Sequence, residues 1–221
     1  MDWTFENVDW AEIGEGTMDT LTMLGFSTLF TVLIGLPLGI ILFLTSRGQL
    51  LQNRTFYMIA SFVVNVLRSV PFIILMILLI PVTKMIVGTS LGVLGAIPPL
   101  VFGAAPFFAR LVETSLREID KGVIEAAQSM GASNWQIVWN VLLPESRSGL
   151  IAGITITTVT LVSYTAMSGV IGGGGLGDLA IRYGYQRFQT DVMIVTVVIL
   201  LVMVQILQSL GDRLVLKFSR K

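Results

Sequence analysis

Residues 125–144 read EAAQSMGASNWQIVWNVLLP and separate two long apolar runs. The periodicity makes this stretch two short helices rather than a span. Val123, Ala126, Ala127 and Met130 fall at i, i+3, i+4 and i+7, which gives the first helix one small apolar face. Glu125, Gln128 and Ser129 take the other side. Gly131 suits the left-handed residue that ends a helix. Ser133 followed by Gln136 has the spacing of a capping box that opens a second helix. There Trp135, Val138, Trp139 and Leu142 form the next stripe, and tryptophans favour a membrane–water interface. Pro144 is expected to break the chain before the next apolar run. A short small-residue face suits a partner's groove; a helix pair lying flat on the membrane shares the amphipathicity.

The surroundings of this segment are mostly apolar. Of 221 residues, 54% are hydrophobic and 13% charged, with a mean hydropathy of +0.83. That charged fraction is about half the soluble average. A membrane span needs about 20 mostly apolar residues. Five runs qualify: Leu21–Leu44, Phe56–Pro81, Leu91–Val112, Leu150–Ile171 and Val192–Leu210. The expected fold is therefore all-α and polytopic, with about five transmembrane helices. Residues 1–20 form an extracytoplasmic N-terminal segment, 21–212 a single transmembrane domain with a cytoplasmic loop at about 113–148, and 213–221 a basic cytoplasmic tail. Acidic residues precede the first apolar run and the first basic residue is Arg47, unlike a secretory signal, so the N-terminus is expected to be retained.

Orientation follows from the lysines and arginines. With the N-terminus outside, Arg47, Arg54, Arg110, Arg117, Lys121, Arg147, Arg213, Lys217, Arg220 and Lys221 lie inside, against Lys84, Arg182 and Arg187 outside. Arg68 falls within a span. The polar segment is thereby cytoplasmic.

Cysteine and histidine are absent, which removes thiolate and imidazole metal sites, cysteine nucleophiles and histidine bases. Gly172, Gly174 and Gly177 satisfy G-x-G-x-x-G, but they follow a membrane span rather than a strand, so a tight extracellular turn at an outer gate is the better reading. No Walker pattern is present, and the chain cannot cradle ATP in that way. Gly35/Gly39 and Gly149/Gly153 are spaced for close helix approach. Arg68 is a candidate for attracting a carboxylate or for structural pairing. Arg110, Glu113 and Arg117 read as anchors of the loop. The fourth run carries Thr155, Thr157, Thr158, Thr160, Ser163, Tyr164, Thr165 and Ser168, hydroxyls that line a path or bond their own helix. Met167 beside Ser168 and Gly169 is a deformable plug or plain packing. An autonomous ion-coupled carrier would need acidic relays inside the membrane, and apart from Glu113 at a boundary the runs have none. A membrane enzyme is a weaker reading still, since the chain has no His or Cys and no lysine within a span for a Ser/Lys dyad.

Glu125-Ala126-Ala127, then Gly131, then Val141-x-Leu143-Pro144 resembles the EAA motif of ATP-binding-cassette importer permeases, with Val141 in place of isoleucine. The resemblance implies a type I importer permease fold in which this segment is the coupling helix that docks on an ATPase, with Glu125 and Gly131 most important. "RSVPFIIL" (68–75), "GAAPFFARLVETSL" (103–116) and "GGGGLGDLAIRYGYQRF" (172–188) are similar to permeases of methionine importers. That resemblance implies import of methionine (L- and also D-) in a bacterial inner membrane. It also implies a homodimer, two ATPase subunits that bind the ATP and magnesium, an extracytoplasmic solute-binding lipoprotein and no nucleic acid. Permeases for other amino acids, phosphonate or glycine betaine share the glycine-rich stretch. Arg68, Ser163, Tyr164 and Met167 are the candidate pathway residues.

Overall fold

Asp9 opens the first helix, its carboxylate accepting from the N–H groups of Ala11 and Glu12. The computed structural model describes residues 7–219. α1 runs Trp10–Thr45, 36 residues, or about 54 Å at 1.5 Å per residue. That exceeds a hydrocarbon core of about 30 Å, so its N-terminal turns project beyond it. The expected first span is thus the later part of a helix that starts at Trp10, and Glu12, Glu15 and Asp19 ride on it instead of on a separate segment. Residues 1–6 of the expected N-terminal segment lie outside the described residues.

α2 (Arg54–Ser69), α3 (Phe72–Leu78) and α4 (Ile80–Val87) replace the expected single second span. The axis bends by 103° between α2 and α3. Pro71 causes it: proline has no N–H to continue the ladder, and it pushes Val70 into the extended region (φ −76°, ψ 127°). α5 (Gly92–Arg117) passes through Pro98, Pro99 and Pro106 without a break, all three buried. After the polar segment come α9 (Arg147–Ser168) and α11 (Thr190–Phe218). Among the described residues four helices are long and apolar enough to cross a membrane, or five if the bent pair is one span. The basic tail is partly helical, since α11 carries Arg213 and Lys217; Arg220 and Lys221 lie outside the described residues.

α1 packs along α5, and α9 lies against both α5 and α11. The α1–α5 approach depends on glycine. A Cβ at Gly39 would sit 2.5 Å from the Ala109 carbonyl oxygen and 2.5 Å from Val112 Cβ. Of α2, only Val64 is buried.

The glycine-rich stretch forms the expected tight turn. Gly172, Gly174 and Gly175 take positive φ, and α10 (Gly175–Leu179) folds back between α1 and α9. The Leu176 N–H donates to Thr20 Oγ1 at 2.9 Å.

Candidate coupling segment and membrane cavity

The polar segment is held by its own caps. Asp120 Oδ1 accepts from the Gly122 N–H at 2.6 Å and starts α6 (Lys121–Ser129). Gly131, at φ +80°, ends it, and the Ala132 N–H reaches back to the Ala127 carbonyl at 3.1 Å. The capping box forms as the spacing predicts. Ser133 Oγ accepts from the Gln136 N–H at 3.3 Å, and Gln136 Oε1 accepts from the Ser133 N–H at 2.8 Å. α7 (Asn134–Ile137) then opens into a wide π-turn over Val138–Leu142 and a last helical turn, α8 (Leu143–Glu145).

Three details differ from the expectation. Pro144 does not break the chain. It sits in the first turn of α8, and the wide turn lets the Leu143 N–H bond the Val138 carbonyl, so the missing proline donor is absorbed. Ala127 does not share the outer face: it is buried with Ile124 in an apolar cluster that also holds Phe43, Phe108, Val112 and Leu116. Trp135 and Trp139 leave the buried stripe of Ile137, Val138 and Leu142 and stand exposed, edge to face, with centroids 5.5 Å apart. The outcome is a two-sided element. Its inner face rests on α7 and the π-turn and joins the apolar cluster at the ends of α1 and α5. Its outer face presents Val123, Glu125, Ala126 and Met130, with Met130 82% exposed. Leu143 and Pro144 are half-buried where the segment joins α9.

Arg110, Glu113 and Arg117 do more than anchor the loop. Glu113 is 4% exposed and binds Arg110 Nη1 and Arg117 Nη2, each at 2.6 Å, and the Tyr57 hydroxyl at 3.0 Å. Arg110 Nη2 also donates to the Ser61 carbonyl and to Asn65 Oδ1, both at 3.0 Å, and to Ser61 Oγ. This network ties α2 to α5. Its α2 partners, Tyr57, Ser61 and Asn65, escaped sequence reading, although their four-residue spacing on an apolar helix is a legible polar stripe.

The structure brings three of the four pathway candidates together. Arg68, Tyr164 and Met167 line one cavity of about 450 Å³, with Phe72 between them. Tyr164 stacks on Phe72 with centroids 4.1 Å apart and planes 1° apart. The Arg68 guanidinium lies 5.6 Å from the centre of the Phe107 ring and has no carboxylate partner among the described residues. Ser163 is exposed on α9 but does not line this cavity. The hydroxyl-rich face is mostly structural. Thr155, Thr157, Thr158, Thr160, Thr165 and Ser168 each donate to a carbonyl one turn back in α9.

Residues 35–220 match the family described as binding-protein-dependent transport system inner membrane component. The chain belongs to this family. It is accordingly an inner-membrane transport component, not an enzyme. It is 49% identical over 212 residues to a probable D-methionine transport system permease of Pasteurella multocida, covering 96% of this chain and 98% of the relative. It is 52% identical over 208 residues to a methionine import system permease of Bacillus subtilis, covering 94% of each. Among solved structures, a methionine ABC transporter in inward-facing conformations superposes with a TM-score of 0.94 at 46% identity, covering 96% of this chain and 98% of that one. An amino acid ABC transporter at 19% identity superposes with a TM-score of 0.76, which speaks for the fold alone.

Proposed function

We propose that this chain is the membrane-spanning permease of an ATP-driven methionine importer. It works as a homodimer with two copies of a separate ATPase, which binds ATP and magnesium, and receives its solute from an extracytoplasmic binding protein. The N-terminus lies outside and the segment 113–148 inside. α6 is the coupling element: Glu125, Ala126 and Met130 meet the ATPase, while Ala127, Leu143 and Pro144 connect that contact to α1, α5 and α9. Gly131 fixes the angle between the two halves. Arg68, Tyr164 and Met167 line the pathway, with Ser163 on the neighbouring exposed face of α9.

The observation that carries this reading is the two-sided build of α6, whose exposed face is backed by Ile124 and Ala127, buried in the apolar cluster that the π-turn Val138–Leu142 shares with the ends of α1 and α5. A force applied to such an element moves the spans instead of bending a loop. Binding energy shifts a transporter only through a difference between its states, and a rigid lever transmits that difference. Relatives about half identical along nearly their whole length, named as methionine or D-methionine permeases, support the substrate. The test is uptake of labelled methionine into proteoliposomes holding the chain and its ATPase. Uptake should require ATP and both proteins, and methionine should be preferred over glycine betaine and phosphonate. Accumulation driven by an ion gradient without the ATPase would sink the proposal.

A further inference from the structure

The loop joining α1 to α2 builds a second pocket, lined by none of the α6 residues and by none of the residues of the Arg68 cavity. Arg47, Gln52, Arg54, Tyr57, Met58 and Arg117 are among the residues that line its volume of about 620 Å³. Arg117 is paired with Glu113, whereas Arg47 and Arg54 form no ion pair among the described residues. The walls are fixed by hydrogen bonds. The Gly48 N–H donates to Gln52 Oε1 at 2.8 Å, and the N–H groups of Leu51 and Asn53 donate to the carbonyls of Leu44 and Thr45, each at 3.0 Å. The start of α2 points to an anion. Arg54 is the first residue of the 16-residue α2, whose first turn holds no acid and whose cap, Asn53, satisfies the Phe56 N–H. A cation there opposes the positive end of the helix dipole, and a bound anion would relieve both charges. Next along α2, Met58, Ile59, Phe62 and Val66 stand exposed as an apolar strip.

We infer that this pocket holds the phosphodiester of an anionic membrane lipid, bound by Arg47 and Arg54 with Arg117 behind them, and that an acyl chain lies along Met58 and Phe62. Guanidinium groups match phosphate oxygens in paired geometry, and basic pockets between spans recognise anionic headgroups. A soluble phosphate shares that chemistry but leaves the apolar strip bare. The experiment is native mass spectrometry of the full-length chain released from vesicles of phosphatidylglycerol and phosphatidylcholine with matched acyl chains. The wild type should retain phosphatidylglycerol in preference. In R47Q/R54Q the preference should fall roughly 30-fold, and R47K/R54K should keep most of it. Equal phosphatidylglycerol retention by wild type and R47Q/R54Q would overturn the site. Displacement of the lipid by millimolar inorganic phosphate would overturn the lipid assignment in favour of a soluble anion. The melting temperature in lipid-free detergent should not change, because neither arginine forms an ion pair among the described residues. If R47Q/R54Q melts early, the single variants R47Q and R54Q carry the same comparison.

Discussion

At Gly131 the backbone is held at φ +80° with no atom within 4 Å of where a Cβ would stand. Space is therefore not the constraint; the dihedral is. An alanine there should cost about 1–2 kcal/mol, the usual penalty of the left-handed region, and a valine more because it is β-branched. The spans should stay folded, since the segment lies outside them. Co-purification of the ATPase should fall from wild type to Gly131→Ala to Gly131→Val, and equal recovery of all three would mean that the angle set here does not govern docking. Met167 is the opposite case. It is 42% exposed and lines the Arg68 cavity. Met167→Ala should cost well under the about 2–5 kcal/mol of a buried methionine truncation. If the side chain plugs the path, the variant should leak solute without ATP. A large loss of thermal stability with unchanged transport would instead place Met167 in packing.

Elements were legible where local chemistry decides them. The capping box at Ser133, the left-handed Gly131 and the glycine-permitted α1–α5 approach all follow from residue type and spacing. The bend at Pro71 was not placed, because α5 carries three prolines without breaking while α2 stops at one. What differs is the surroundings: α5 is buried between neighbours that hold it helical, whereas α2 buries one residue. Hydropathy cannot see that difference. The fate of the α9 hydroxyls was equally hidden, since a threonine that bonds its own helix and one that lines a path read alike. The role of Glu113 emerged only when α2 and α5 came together. Its three partners, Arg110, Arg117 and Tyr57, predict that α2, otherwise lightly packed, depends on it. Glu113→Ala leaves Arg110, whose side chain is 17% exposed, without its carboxylate. The expected loss is about 3–5 kcal/mol, as for other broken buried pairs. Thermal unfolding would show it, and cysteine labelling of Ser61→Cys should quicken as α2 loosens. An unaltered melting temperature would reduce the network to a surface contact.

For the whole molecule the decisive quantity is which end faces which compartment. Read from the sequence with the N-terminus outside, ten of the lysines and arginines are expected on the side of the coupling segment against three on the other, over short loops, where this bias sets orientation. The two ends also differ in construction. One gathers α6, α7 and the arginine pocket. The other holds the N-terminal turns of α1, where Glu12 binds Arg182 at 3.2 Å and the Tyr183 hydroxyl at 3.0 Å. The absence of cysteine makes the assignment testable, because any introduced thiol is unique in the chain. Phe188 is 85% exposed at one end and Met130 82% exposed at the other. In intact cells an impermeant maleimide should label Phe188→Cys and leave Met130→Cys untouched. In inverted vesicles stripped of the ATPase the pattern should reverse. Adding the ATPase back should then protect Met130→Cys, because the exposed face of α6 becomes its contact. Labelling of Met130→Cys in intact cells would invert the topology and remove the coupling role with it, since no ATPase waits outside the membrane. Correct sidedness without protection would keep the topology and move the docking contact elsewhere on the segment, with exposed Trp135 and Trp139 the next positions to substitute.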